Sequence, residues 1–470
     1  ARIGELRMML PGVSVELDHI RYYPDGEAVA HIMGTLREIS QDQLDEAEKA
    51  GKHYRPGDYV GKSGLEKQYE DDLRGEDGGK EIEVNALGRV VRILGEKQPV
   101  PGKTLRLTID RDLQVAAERA MGSQVGAAVA VDPRSGAVLA MVSKPSYDAN
   151  IFVKRVKPAD WKGIIGNKNK PLQNRAVYNV YPPGSTFKPM MAVAGLFYHE
   201  CDANTTVSCP GSFRFGRTFR CWKVHGGGVN FRRAIAESCD VWFYKLALRL
   251  GIDRMAHVIR QFGISQATGI DLPNESRYKD HHVGTMPDTA WKRRVYHEKW
   301  YPGETPSCGI GQGYVETSPL QMALSTAGVG NFGKIYRPHL LDEVLTGDGK
   351  PVRRVKPDII HQVDAPKEAF EMVRQAMRST VTNGTGRVCD IPGVAVCGKT
   401  GSAENRGPAH GWFIAFAPLE DPKIAVACIV EHGRHGASTA APVCRAIMDV
   451  YFGKKKPEEI GGGNKKVSGD

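Results

Sequence analysis

The sequence has no run of 18 or more apolar residues, so no segment of it reads as a bilayer-spanning helix. It shows no secretory leader. The chain starts at Ala1 rather than Met, on a segment already dense in structure-forming residues. That fits a mature or trimmed form, so an anchor in the natural protein is not excluded. Cysteine is scarce: nine residues, an odd number, are too few to staple 470 residues as a disulfide scaffold. Internal repeats are lacking. Charge of one sign is not segregated either. Lys and Arg number 64 against 54 Asp and Glu, a net charge of +10, yet the basic residues are scattered among acidic ones. No basic stripe with interleaved aromatics exists, so nucleic acid is excluded as a partner. The balance suits a solvated surface in an anionic setting, such as a membrane face or a cell-wall polymer.

What is present is an ordinary globular composition, 41% hydrophobic and 25% charged, long enough for two or three domains. Residues 1–104 mix glycines, charges and short β-like runs, as at Val13–Leu17 and Glu81–Val84, with a helical stretch from Gln41 to Gly51. Leu65, Tyr69 and Leu73 recur every four residues, which predicts one buried helix face. Pro99-Val-Pro-Gly102 marks a boundary. A second domain, 105–453, opens with a strand at Thr104–Ile109 and a helix at Asp112–Met121. The apolar runs Ala127–Val131 and Ala137–Val142 follow, a hairpin buried on both faces. Residues 145–390 read as helices and loops, including one helix from Ile235 to Leu250. Strands return at Val394–Cys397, Gly411–Ala417 and Lys423–Val430, and a helix covers Ala441–Phe452. Two strands before a helical block and three after it predict an α+β fold, one antiparallel sheet flanked by helices, beside a smaller N-terminal pedestal. Residues 454–470, rich in Lys, Gly and Asn, read as a disordered tail.

The stretch Tyr181-Pro-Pro-Gly-Ser-Thr-Phe-Lys-Pro189 organises the rest. Pro183-Gly184 is a turn, and Pro189 fits the first turn of a helix. Ser185 then sits at the helix start, with Lys188 one turn above it on the same face. Alone, this pattern is far more often a helix cap than a nucleophile pair, and Ser276-Arg-Tyr-Lys279 repeats it. Two further motifs follow in order: Ser238-Cys-Asp240, and Lys399-Thr-Gly401 at a strand end. Partial copies, Ser146-Tyr-Asp148 and Lys62-Ser-Gly64, lie before Ser185, in the wrong order. Ser-x-x-Lys, Ser-Asp-Asn and Lys-Thr-Gly are the motifs of penicillin-binding proteins and class A β-lactamases, and the order here resembles theirs.

The chemistry needs these residue types. Acyl transfer requires a serine that loses its proton near neutral pH. Lys188 removes it if burial and a neighbouring cation, Lys399, keep its amine neutral part of the time. Ser238 relays the proton towards the leaving group. Lys399, Thr400 and Ser402 hold a substrate carboxylate, with Gly401 between them. The backbone N–H groups of Ser185 and Ser402 form an oxyanion hole.

The motif Tyr181–Lys188 resembles that of class B penicillin-binding proteins of the elongation type, the group commonly called penicillin-binding protein 2. Gly64-Leu-Glu66 with Tyr69–Gly75 resembles its pedestal signature. Gly309-Ile-Gly-Gln-Gly-Tyr314 and Ser318-Pro-Leu-Gln-Met-Ala323 resemble its stretch between the second and third motifs. The resemblance implies a D,D-transpeptidase that cross-links peptidoglycan stem peptides through a Ser185 acyl-enzyme and is inhibited by β-lactam antibiotics. It also implies a place on the periplasmic side of the inner membrane, with a membrane glycan polymerase of the SEDS type and an elongation-complex scaffold as partners. Asp240 departs from the usual Asn, and the Glu404–His410 connection is short. Two other readings stay open: a D,D-carboxypeptidase with water as acceptor, and a penicillin-sensing receptor or scaffold that acylates without turnover. A β-lactamase fits less well, since no deacylating Glu is assignable.

Acyl transfer here calls for no cofactor. Cys209, Cys221, His225 and Cys239 surround the second motif, and Cys221 and His225 are spaced as paired metal ligands. Three thiolates and one imidazole make a structural zinc site. A Cys209–Cys221 disulfide and unpaired cysteines are the competing readings.

Overall fold

The strands expected at the two ends of the larger domain meet in one sheet. The computed structural model describes residues 20–86, 90–153, 156–273 and 283–461. The readings at Val13–Leu17 and Ser276–Lys279 lie outside the described residues.

In the N-terminal part, α1 (Gly26–Met33), β1 (Leu36–Glu38), α2 (Gln41–Lys49) and β2 (Tyr59–Gly61) come first, and β1 pairs with β2. The single helix expected around Leu65 is two short ones, α3 (Gly64–Gln68) and α4 (Glu70–Leu73), that meet at Tyr69. Leu65 is buried, as its spacing predicted, while the Tyr69 hydroxyl donates to Asp271 at 2.7 Å. That bond ties the pedestal to the larger domain. β3 (Gly79–Val84) and β4 (Val90–Lys97) form an antiparallel hairpin.

The larger domain begins with β5 (Thr104–Leu107) and α5 (Arg111–Met121). The Asp110 carboxylate caps α5 by accepting from the N–H groups of Asp112 and Leu113. β6 (Gly126–Val131) and β7 (Val138–Lys144) are the expected buried hairpin. After α6 (Pro158–Ile165) and α7 (Lys188–Phe197) come four short strands where helix and loop were expected. They are β8 (Val207–Cys209), β9 (Ser212–Phe215), β10 (Arg217–Arg220) and β11 (Gly226–Val229). Strands of three or four residues are too short to display a period of two, which hid them. Next are α8 (Phe231–Ala236), α9 (Asp240–Leu250), α10 (Ile252–Gln261), α11 (Thr289–Tyr296), α12 (Thr305–Gly309) and α13 (Pro319–Gly330). β12 (Lys334–Tyr336), β13 (Leu341–Leu345), β14 (Pro351–Arg354) and β15 (Ile359–Gln362) precede α14 (Lys367–Thr382). The last elements are β16 (Cys397–Ala403), β17 (His410–Ala417), β18 (Ile424–Val430) and α15 (Ala440–Tyr451). β5 pairs with β13 in a separate three-stranded sheet.

The main sheet runs β16-β17-β18-β6-β7, antiparallel throughout, so the third motif lies on an edge strand. Strand geometry sends alternate residues to opposite faces. Ala127, Val129 and Val131 join Met190, Leu320 and Ala323 in one core, with Trp412, Ile414 and Phe416. Ala128 and Ala130 join Leu113, Met121, Val443 and Ile447 in another, with Phe413 and Ala415. Helices therefore cover both faces, which is why these strands are almost wholly apolar. α13 is buried along its whole length, and its Ser318/Gln321 capping box satisfies the first-turn N–H groups.

The expectation of a disordered tail from Lys454 does not hold for 454–461. Pro457–Glu459 form a 3-10 turn, and Ile460 is buried against Ala116 and Ala446. One apolar residue in a Lys- and Glu-rich run gave too little compositional signal. Among the described residues no helix is long and apolar enough to cross a membrane.

Candidate active site

The first motif is built by close backbone contact. Gly184 has φ +55, and a Cβ there would stand 2.8 Å from the carbonyl oxygen of Ser402. Only glycine lets β16 approach this near. Gly311 plays the same part from the other side: its φ is +69, and its carbonyl accepts from the Gly184 N–H at 2.9 Å. Residues Gly184–Phe187 form a 3-10 turn that runs into α7 at Lys188. Ser185 therefore lies in a lead-in turn, not at the first residue of the α-helix. It is no cap: those positions belong to Pro183 for the turn and Phe187 for the helix.

The second motif spans a break between two helices, where the reading of Ile235–Leu250 had one continuous helix. α8 stops at Ala236 and α9 starts at Asp240, and Ser238 sits in the turn between with φ +58. A left-handed serine costs of order 1 kcal/mol and persists only where its surroundings fix it. Here they do. The Lys188 ammonium donates to Ser238 O at 3.0 Å, to Ser238 Oγ at 3.2 Å and to Asp240 Oδ1 at 2.7 Å. Three contacts match its three N–H donors. Lys399 Nζ donates to Ser238 Oγ at 2.9 Å and to Thr400 O at 2.9 Å. Ser238 Oγ thus accepts from both lysines, which leaves its own O–H free to donate elsewhere. Lys188, Ser238, Asp240 and Lys399 are brought to one place, and Ser185 lies in the turn just before Lys188, next to the Gly184 contact with Ser402. Lys399 faces Ser238 and is fully buried, while Ser402 is exposed beside it.

Burial, and after it the Lys188 charge, hold Lys399 well below the ordinary lysine range, against an opposing pull from Asp240. The unfolded chain then binds more protons than the folded one between the folded pKa and about 10.4, so stability rises with pH in that window. Below the folded pKa the penalty is present in full. A Lys399→Met variant lacks this dependence. Its melting temperature relative to wild type is expected to fall steadily as pH is raised from neutral towards 10. A difference between the two proteins that stays constant with pH would contradict this assignment.

Other contacts that hold the site could not be read from the sequence. Tyr181 OH donates to Glu431 Oε1 at 2.7 Å, and the buried Arg175 donates to the same oxygen at 2.8 Å. Trp412 Nε1 donates to Pro182 O at 3.0 Å. These bonds fix the segment that leads into Ser185. Thr385, in a turn after α14, meets Thr400 hydroxyl to hydroxyl at 2.6 Å.

All nine cysteines are free. The donor atoms of Cys209, Cys221, His225 and Cys239 lie within 4.8 Å of one another, on the far side of the second motif. His225 Nδ1 is 3.5 Å from Cys209 Sγ and 3.6 Å from Cys221 Sγ. A tetrahedral zinc with bonds of 2.0–2.3 Å spaces nitrogen and sulfur about 3.5 Å apart, so these two spacings and the donor set of three cysteines and one histidine fit the ion. His225 Nε2 donates to Glu237 O at 3.1 Å, which turns Nδ1 towards the cluster. The Asp240 N–H donates to Cys221 Sγ at 3.2 Å. The cluster and the second motif thus share one turn.

A serine beside paired buried lysines, at the edge of an antiparallel sheet covered by helices, belongs to the serine acyl-transfer enzymes. Comparison with known proteins narrows the class. The penicillin-binding protein transpeptidase domain matches residues 126–449, and the penicillin-binding protein dimerisation domain matches residues 1–107. The chain belongs to the penicillin-binding protein family. It is 40% identical over 490 residues to the peptidoglycan D,D-transpeptidase MrdA of Acinetobacter baumannii, covering all of this chain and 71% of that protein. A solved complex of penicillin-binding protein 2 and MreC from Helicobacter pylori superposes with a TM-score of 0.79 at 30% identity, covering 92% of this chain and 79% of that one. A solved peptidoglycan synthase complex that coordinates polymerization and crosslinking gives a TM-score of 0.81 at 33% identity, covering 99% and 80%.

Proposed function

We propose that this chain is a serine D,D-transpeptidase that cross-links peptidoglycan stem peptides during cell elongation, and that β-lactams acylate it at Ser185. The observation that carries the reading is the Ser238 hydroxyl, held at once by Lys188 and Lys399. Ser185 Oγ attacks the carbonyl between the two terminal D-alanines. Lys188, in its amine form, takes the Ser185 proton and passes one to Ser238 Oγ. The Ser238 proton goes to the departing nitrogen as the C–N bond breaks, so D-alanine leaves neutral at its amine and Lys188 ends as it began. An amine from a second stem peptide then attacks the ester, and the proton path runs in reverse to restore Ser185. The N–H groups of Ser185 and Ser402 stabilise the oxyanion. Thr400 and Ser402, with Gly401 leaving room between them, receive the substrate carboxylate beside the charge of Lys399.

We assign residues 105–453 to this chemistry and residues 1–104 to a pedestal that meets partners. The relatives solved with MreC and within a synthase complex support an elongation scaffold and a SEDS-type glycan polymerase as those partners. On the same ground the domain works on the periplasmic side of the inner membrane. We assign a structural zinc to Cys209, Cys221, His225 and Cys239, whose four donor atoms lie within 4.8 Å of one another and are the residue types of a structural zinc site.

The reading is tested by supplying polymerised glycan strands with pentapeptide stems and analysing the digest. Cross-linked dimers that vanish with penicillin are expected. Release of D-alanine without cross-links would assign a carboxypeptidase instead.

A further inference from the structure

α8 and α14 line an open cleft of about 710 Å³ that the acyl-transfer reaction does not use. Phe231, Phe332, Met372 and Leu419 form its apolar walls, and Arg232 and Arg374 supply charge. Arg374 is 4% exposed, yet it forms no ion pair among the described residues. It donates to the carbonyl oxygens of Leu419 and Glu420, while its Nε has no partner. Its guanidinium lies 4.2 Å from the Phe332 ring centre. Arg232 is exposed at the mouth and has no hydrogen bond or ion pair among the described residues. Of the lining carboxylates, Glu371 is paired with Lys367 at 3.3 Å, and Glu420 stays in solvent on the lip. A buried guanidinium without a counter-charge is costly, and an anion entering the cleft would relieve that cost. The apolar walls require the anion to carry a hydrophobic body.

The walls connect to the motifs. α8 ends just before Ser238, and the Thr385 N–H donates to Ala236 O at 3.2 Å. The Thr385 hydroxyl meets that of Thr400 at 2.6 Å. A body lodged between α8 and α14 therefore bears on the second and third motifs together. We propose that this cleft binds a small amphiphilic anion, an apolar body bearing one carboxylate or phosphate, and that its occupancy changes the rate at which Ser185 is acylated. The second clause rests on the transpeptidase reading; the first does not.

The binding test uses the full chain with Ser185 already acylated by penicillin, so that the active site takes no anion. Calorimetric titration with 4-phenylbutyrate is expected to show one site. The uncharged 4-phenylbutanol should bind at least about tenfold more weakly, the loss of one charge-assisted contact. A phenyl phosphate titration tells which head group the site prefers. Gln375→Trp, which fills the cleft from an exposed helix position, and Arg232→Glu should each weaken 4-phenylbutyrate by about tenfold or more. An alcohol that binds as well as the acid, or binding untouched in both variants, would overturn the site. In free protein, saturating 4-phenylbutyrate is expected to change the second-order rate of fluorescent-penicillin labelling at least about twofold in wild type and not in Gln375→Trp. An unchanged rate overturns the coupling. A wild type that takes no penicillin at all would instead count against the transpeptidase reading.

Discussion

Replacing Lys188 by Met is expected to slow acylation by a fluorescent penicillin about 10,000-fold, the upper range for loss of a positioned base and about 5.4 kcal/mol of barrier. Lys188 is fully buried, and its amine is the only group that joins Ser238 Oγ, Ser238 O and the Asp240 carboxylate among the described residues. Met matches its length and keeps the cavity filled, so the loss should not come from collapse. The companion variant, Lys188→Arg, separates two explanations. It keeps the positive charge and the pairing with Asp240, but a guanidinium does not give up its proton in a protein. Both variants are expected to be slow to a similar degree, with circular dichroism unchanged. Near-normal labelling of the Arg variant would mean that Lys188 acts by its charge, and that another group is the base.

The second large effect concerns the cluster behind the second motif. Protein purified without added zinc is expected to carry one zinc per chain by elemental analysis. Cys209→Ala should abolish it. Cys209 lies on β8, away from the acylating residues, so its loss reports on the metal and not on a missing catalytic group. Removal of one ligand from a filled shell should cost several kcal/mol, lowering the melting temperature by roughly 10 °C in a domain of this size. Chelation of the wild type should reproduce the shift and added zinc should reverse it. Acylation should fall as well, because Asp240 donates to Cys221 and His225 donates to Glu237, so the cluster grips both flanks of Ser238. Wild type that holds no zinc and melts unchanged with chelator would sink the assignment. A mass two hydrogens below the reduced chain would then favour the Cys209–Cys221 disulfide.

The sheet was legible because its physics is local. Ala127–Val131 and Gly411–Ala417 are apolar on both faces, and only burial between two helical layers explains that pattern. The order of Ser185, Ser238 and Lys399 could also be read directly. The turn at Ser238 could not: Ile235–Leu250 is apolar enough to pass as one helix. The break there comes from tertiary contacts, since both lysines that hold Ser238 arrive from other elements. Glu431 was invisible for a similar reason. A lone carboxylate after an apolar strand reads as a solvent-facing end, and Arg175 lies 256 residues away in sequence. Cys209, Cys221, His225 and Cys239 stood out as residue types, but their meeting depends on β8 and β11 pairing, which brings Cys209 opposite Gly226 and next to His225.

The central claim is that Ser185 is the acylated nucleophile. Incubation with a fluorescent penicillin, followed by proteolysis and mass spectrometry, tests it directly. Wild type is expected to carry one penicilloyl adduct on the peptide that contains Ser185, and Ser185→Ala, folded to the same melting curve within a degree or so, is expected to carry none. An adduct that survives the substitution, or that maps to Ser238 or Ser402 in wild type, would contradict the account.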